Sequence, residues 1–379
     1  MSQENSILKK RLKARVDKGN LRTLKITDDK SIDFTSNDYL GLARNLTLKT
    51  KIIERYATNP DLNGSTGSRL LSGNSIQIEQ LEVKLAKLFS APKTLIFSSG
   101  YMANLAFFSS VPQKNDVILY DELCHASIKD GCRLSLAQKI SFKHNDLAHL
   151  KTKLEHLKSK CTIYVAIEAV YSMDGDFALL DEIAHLCDGH SAKLVVDEAH
   201  STGIWGDQGG GFVKSKGLEN KVFARIMTFG KAMGIHGACI CGSELLRDYL
   251  INFSGPFIYT TAPGAFELVA ISEAFEFIKE NQQLGITLKR NIDLFKKEIG
   301  LSSAEIIESN SPIQIIKIAG NENAMKLSLY LSKSGYDIRA ITSPTVPLGQ
   351  ERLRICIHAF NTEDEILRLC QLLNAYFKK

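Results

Sequence analysis

Lys193-Leu194-Val195-Val196-Asp197-Glu198-Ala199-His200 is an apolar run that ends in two carboxylates and an imidazole. Its first half reads as a buried strand, so Asp197 closes the strand and His200 stands in the turn beyond it. Further along, one lysine sits among uncharged and mostly small neighbours in Thr228-Phe229-Gly230-Lys231-Ala232-Met233-Gly234. A strand-end aspartate also serves to cap the next turn, and a loop lysine is ordinarily solvated. The company of all three groups turns attention to chemistry.

Working outward, helical patterns alternate with short β-rich runs, which predicts an α/β domain with a mostly parallel sheet. Strands are expected at Thr94–Ser98, Val117–Asp121, Lys139–Lys143, Thr162–Ala169, Lys193–Asp197, Ala224–Phe229 and Ala238–Cys241. Ile78, Leu81, Leu85 and Leu88 recur at helical spacing within 75–89. After Pro263 comes a long helix, then a shorter α+β pattern with strands near Ile313–Ile318 and Arg352–His358. A last helix, Glu363–Phe377, has acids in its first turn and Lys378-Lys379 at its end, as its dipole favours. We therefore expect an N-terminal helix and strand segment over 1–42, a large domain over 43–275 and a small C-terminal α+β domain over 276–379.

Hydrophobic residues make up 44% and charged residues 23%, ordinary values for a globular chain, which set aside disordered, collagenous and membrane classes. The uncharged stretch from Thr94 to Gln113 is long enough to span a bilayer, yet Ser98, Ser99, Gly100, Asn104, Ser109, Ser110 and Pro112 interrupt it. A strand, a glycine turn and a helix fit it better. Against 42 Asp+Glu stand 47 Lys+Arg, a net +5 without long basic runs, so no nucleic-acid partner is indicated, while anionic small substrates are. The eight cysteines show no framework spacing, which suits a reducing cytoplasm. Cys239 and Cys241 alternate on a strand and read as a buried thiol pair. The first residues lack the apolar core of a secretory signal. Leu8, Leu12 and Val16 suggest instead an amphipathic helix laid on the protein or on a partner subunit; a mitochondrial presequence is the alternative, weakened by Glu4 and Asp17.

A carboxylate facing the crevice at a strand end can pair with a protonated pyridine nitrogen, and an amine in an uncharged loop can form a Schiff base. Asp197, His200 and Lys231 are thus the parts needed to hold pyridoxal phosphate (PLP). Phosphate needs backbone N–H groups and hydroxyls; Ser99-Gly100-Tyr101 after a strand supplies the first, and Thr228 a hydroxyl. Val-Val-Asp-Glu-Ala-His also resembles a helicase Walker B strand, but that needs an earlier phosphate loop. The one candidate, at Gly230-Lys231, follows the aspartate, continues with Ala232 and has Arg225 in place of its first glycine. A dinucleotide fingerprint and a helical zinc pair are also absent, and no metal site is expected.

Six ordered segments then carry a resemblance: Ser36-Asn37-Asp38-Tyr39-Leu40-Gly41, Gly67 to Gly73 (GSRLLSG), Asp121 to Ser127 (DELCHAS), Ser172-Met173-Asp174-Gly175-Asp176, Asp197 to Gly203 (DEAHSTG) and Thr228-Phe229-Gly230-Lys231. From about residue 30 to the last helix the chain resembles the α-oxoamine synthases, fold-type-I PLP-dependent transferases that join an amino acid to an acyl-CoA with loss of carbon dioxide. The resemblance implies that Lys231 holds the cofactor and removes the substrate α-proton, and that Asp197 pairs with the ring nitrogen. His200 and Ser172 would hydrogen-bond the ring oxygen, and His125 would stack on the ring and assist protonation. Asn37 and Arg354 would hold the substrate carboxylate, and Thr345 would lie at the acyl-CoA entrance. It further implies a homodimer with a shared site, in which Thr260 or Thr261 reaches the neighbouring phosphate. Arg352 and Arg354 alternate on a strand, so they share a face; plain solvent exposure is the alternative. Gly234-Ile235-His236-Gly237-Ala238 resembles the branch that uses alanine and a pimeloyl thioester; glycine- and serine-using branches usually carry a Gly-Gly pair there.

Overall fold

In a computed structural model of the chain, which describes residues 4–24, 26, 30–58, 63–157, 161–302 and 305–378, the seven expected strands form one sheet. Its order is Lys93–Phe97, Ala238–Gly242, Ala224–Thr228, Lys193–Asp197, Ile163–Glu168, Val117–Asp121, Gln138–Phe142. Every neighbouring pair is parallel except the two made by Ala238–Gly242. Side chains alternate across a strand, and here both faces are covered. Val195 packs with Ile118, Ala166 and Ile226 on one side. On the other, Leu194 and Val196 pack with Leu119, Val165 and Ile167. That is why these strands read as continuous apolar runs instead of alternating ones.

The helices flanking the first strand of this sheet start where capping residues fall. Ser75 opens Ile76–Leu88 by accepting from the Ile78 N–H at 3.3 Å. Ser99 opens Gly100–Ser110 in the same way through Met102, again at 3.3 Å. The charge-free stretch is thus a strand, a turn and a helix, as expected. Among the described residues no helix is long and apolar enough to cross a membrane.

The chain divides into two compact units, Leu40–Ser172 with Phe177–Ile286, and Met1–Tyr39 with Met173–Asp176 and Thr287–Lys379. The first holds the seven-stranded sheet. The second holds a four-stranded antiparallel sheet in the order Arg339–Ile341, Arg352–Cys356, Ile313–Lys317, Ile306–Ile307. These divisions differ from those expected at 42 and 275. The N-terminal segment is not separate, because Ile32 and Asp33 pair in parallel with Tyr336 and Asp337. The helix Ala265–Glu280 stays whole in the larger unit, since Leu268, Ile271, Ala274 and Phe275 are buried there, Phe275 edge-on to Phe89 and Phe229. The final helix runs Glu363–Phe377 as expected, opened by a capping box between Thr362 and Glu365; Lys379 lies outside the described residues. Glu4–Asp17 is helical, but Leu8, Leu12 and Val16 are 62%, 55% and 57% exposed, so this chain does not cover them.

Candidate active site

The parallel strands deliver their last residues to one edge of the sheet, and the expected cofactor groups of the larger unit gather there. Asp197 ends the central strand and is buried; its Oδ1 accepts from the Ala199 N–H at 2.8 Å and its Oδ2 from Asn104 Nδ2 at 2.6 Å. On the adjacent strand its register partner is Glu168, also buried. Two neighbouring carboxylates resist sharing two charges. Burial first, and then the charge on Asp197, push the Glu168 carboxyl up to about 8. Glu168 Oε1 accepts from the backbone N–H of His125 at 2.5 Å. Ser172 and His200, both buried, follow the ends of these same two strands.

On the other side of the central strand, Ile226 pairs with Asp197, and the strand ends at Thr228. The chain then turns back on itself. Phe229 N–H donates to the Gly237 carbonyl at 3.0 Å, Ile235 N–H to that of Phe229 at 3.0 Å, and Gly234 N–H to that of Lys231 at 2.9 Å. Lys231 is thus carried, half-buried, on a hydrogen-bonded hairpin. Gly234 has φ +64°, and a Cβ there would lie 2.2 Å from the Ala43 nitrogen, so only glycine closes this turn.

Phe97 and Thr228 both pair with Ala238, from opposite sides. This register brings the Ser99-Gly100-Tyr101 helix start against Thr228. A Cβ on Gly100 would sit 2.4 Å from Thr228 Cγ2. The helix start offers first-turn N–H groups without intrahelical acceptors, and Thr228 adds a hydroxyl that donates to the Ala199 carbonyl at 3.3 Å. His125 begins the helix Ala126–Leu134 after the strand Val117–Asp121. Partial desolvation lowers its pKa, opposed by the charge of Asp197 and assisted by Lys231. A buried carboxylate, an amine on a fixed hairpin, an imidazole and a glycine cradle at a helix start form a donor set that fits PLP.

The family profile for aminotransferase class I and II matches residues 29–373. The chain belongs to that family. Its relatives place it among the α-oxoamine synthases. An 8-amino-7-oxononanoate synthase from Emericella nidulans is 38% identical over 98% of this chain and 95% of its own. One from Lysinibacillus sphaericus is 35% identical, over 92% and 89%. Among solved structures, the 8-amino-7-oxononanoate synthase of Francisella tularensis has a TM-score of 0.77 at 31% identity, covering 93% of this chain and 99% of that one. Serine palmitoyltransferase from Sphingomonas wittichii has a TM-score of 0.88 at 24% identity, covering 100% and 98%, a likeness of fold.

In this class I and II aminotransferase chain the remaining expected residues lie as follows. Arg354 and Asn37, in the smaller unit, are bonded to each other: Arg354 Nη2 donates to Asn37 Oδ1 at 2.9 Å and to the Tyr39 hydroxyl at 3.4 Å. Arg352, whose exposure had been the alternative, is buried too, with Nη1 on Asp174 at 2.6 Å. Thr345 is exposed and accepts from Arg22 Nη2 at 3.3 Å. Thr260 is half-buried and Thr261 exposed. Sequence reasoning overlooked Asn104, Ser127 and Glu168. Asn104 did carry a signal, since an amide in an apolar helix must find a buried partner.

Proposed function

We propose that this chain is a PLP-dependent C-acyltransferase that condenses L-alanine with a pimeloyl thioester to 8-amino-7-oxononanoate, releasing the thiol and carbon dioxide, in biotin biosynthesis. One observation carries the proposal: Asp197 and the Lys231 hairpin close adjacent strands in a chain 38% identical to a named 8-amino-7-oxononanoate synthase. PLP, when bound, supplies the electron sink for charge developing at the substrate α-carbon. Asp197 would hold its ring nitrogen with a carboxylate, and His200 and Ser172 would supply hydrogen bonds to its ring oxygen. Arg354, oriented by Asn37 and Tyr39, supplies the fork for the amino acid's carboxylate. Lys231 Nζ takes the α-proton, which frees the α-carbon to attack the thioester, and returns a proton after carbon dioxide leaves. His125 assists that return.

A homodimer belongs to the same proposal. Leu71 and Tyr259 are 85% and 87% exposed, on two segments tied together by the Ala262 N–H on the Gly67 carbonyl at 3.0 Å, and Ile76, which starts the helix after Ser75, is 77% exposed. Clustered large apolar side chains of this kind mark an interface, and Thr260 or Thr261 beside them would reach the phosphate of the neighbouring subunit. Eight free cysteines accord with the cytoplasm.

The deciding experiment measures thiol release by the PLP-loaded protein given L-alanine and pimeloyl-CoA, with glycine, serine and Lys231→Ala as controls. Release that requires both alanine and Lys231 is expected. Turnover only with glycine or serine would move the chain to another branch, and no release with any pair would overturn the catalytic assignment.

A further inference from the structure

Two helices that follow site strands approach each other closely, and a polar bridge crosses between them. Asn104 lies on Gly100–Ser110 and Ser127 on Ala126–Leu134, both essentially buried. Asn104 Nδ2 donates to Asp197 Oδ2 at 2.6 Å and to Ser127 Oγ at 3.0 Å. Ser127 Oγ lies 2.7 Å from His125 Nδ1, and the Ser127 backbone N–H donates to the same nitrogen at 3.2 Å.

The directions of these bonds are forced. A carboxylate only accepts, so the Asn104 group facing Asp197 is its NH2, and the second hydrogen of that NH2 goes to Ser127 Oγ. A backbone N–H only donates, so His125 Nδ1 is an acceptor and carries no proton. The Ser127 hydroxyl, already accepting from Asn104, therefore donates its own hydrogen to Nδ1. The neutral imidazole must then hold its proton on Nε2. Asn104 Oδ1, by contrast, is buried with no hydrogen-bond partner among the described residues. A buried orphan carbonyl is unfavourable, so this side chain is not there for stability alone.

We propose that Asn104 and Ser127 are positioning residues, which hold the Asp197 carboxylate and, through the Ser127 hydroxyl acting together with its backbone N–H, fix His125 as the Nε2–H tautomer. Its consequence for catalysis rests on the function proposed above: His125 enters the reaction as a neutral proton donor at Nε2, set by the same bridge that orients the partner of the ring nitrogen.

The test uses the cofactor-free, full-length protein labelled with 15N-histidine, with the His125 signals identified by their loss in His125→Asn. Nitrogen shifts of the wild type should report protonation at Nε2. Ser127→Val, which removes the shorter hydroxyl bond at nearly constant volume and leaves only the 3.2 Å backbone N–H on Nδ1, should raise the Nδ1-protonated population at least threefold, and Ser127→Thr should restore the wild-type pattern. Asn104→Ala should shift the same signals and weaken PLP binding at least tenfold. Because Val and Thr are alike in size, a difference between them reports the hydroxyl even where both lower the melting temperature. Identical His125 shifts in wild type, Ser127→Val and Asn104→Ala would overturn the proposal. Failure of the acyltransferase assay leaves these shifts unaffected, so the two ideas fail separately.

Discussion

Glu168 and Asp197 are register partners on adjacent strands, and both are buried. Since burial and Asp197 raise the Glu168 pKa above its unfolded value, folding takes up a proton there. The associated stability is fully present below the ordinary glutamic acid range and is lost as pH rises through about 8. The loss approaches at most about 1.4 kcal/mol per pH unit. Glu168→Gln keeps an acceptor for the His125 N–H but cannot ionise. Urea midpoints of the cofactor-free protein should therefore fall with pH between about 5 and 8 in the wild type and stay flatter in Glu168→Gln; parallel curves would remove Glu168 from the account. Neither this pair nor the Asn104–Ser127 bridge was legible in the sequence. Asp197 and Lys231 announce themselves by local context, whereas Glu168 matters only through cross-strand register.

Among the elements, the seven strands of the large sheet fell within about one or two residues of where the apolar runs put them, because strands covered on both faces leave an unbroken signature. Ile306–Ile307 left none, being only two residues long, and Ile32–Asp33 was expected only as a strand somewhere within 1–42. The close approach of the two bridge helices was equally hidden, although a single glycine permits it. A Cβ on Gly131 would lie 2.8 Å from Phe108 Cβ and 3.1 Å from the Asn104 carbonyl. Gly131→Ala gains up to about 1 kcal/mol in helix propensity, but overpacking costs about 1–3 kcal/mol. The clash wins, so the helices part. A modestly lower melting temperature with PLP binding weakened several-fold is expected from thermal denaturation and cofactor titration; wild-type binding would show that the helices have slack.

At the scale of the molecule, chain order hid the partition. Residues 1–39 and 173–176 join the unit built by 287–379, and the parallel pairing of Ile32–Asp33 with Tyr336–Asp337 spans too much sequence for any local pattern to show. The homodimer is implied only by the family resemblance and stays a proposal, supported by the uncovered apolar side chains of Leu71, Ile76 and Tyr259. Leu71→Asp puts a charge into that proposed interface without touching the cofactor groups. Sedimentation should show a monomer, and thiol release should fall at least tenfold if each site draws a hydroxyl from its neighbour; a fully active monomer would argue against a shared site.

The hairpin that carries Lys231 returns along Ala238–Gly242, and there Cys239 and Cys241 lie with their sulfurs 3.9 Å apart, 0% and 1% exposed. Both neighbours of that strand cover it by hydrogen bonding. No reagent meets either thiol until the strand itself comes away, an event on the timescale of local unfolding and not of side-chain motion. The two sulfurs are thus a natural chemical clock for how long the segment bearing the lysine stays shut.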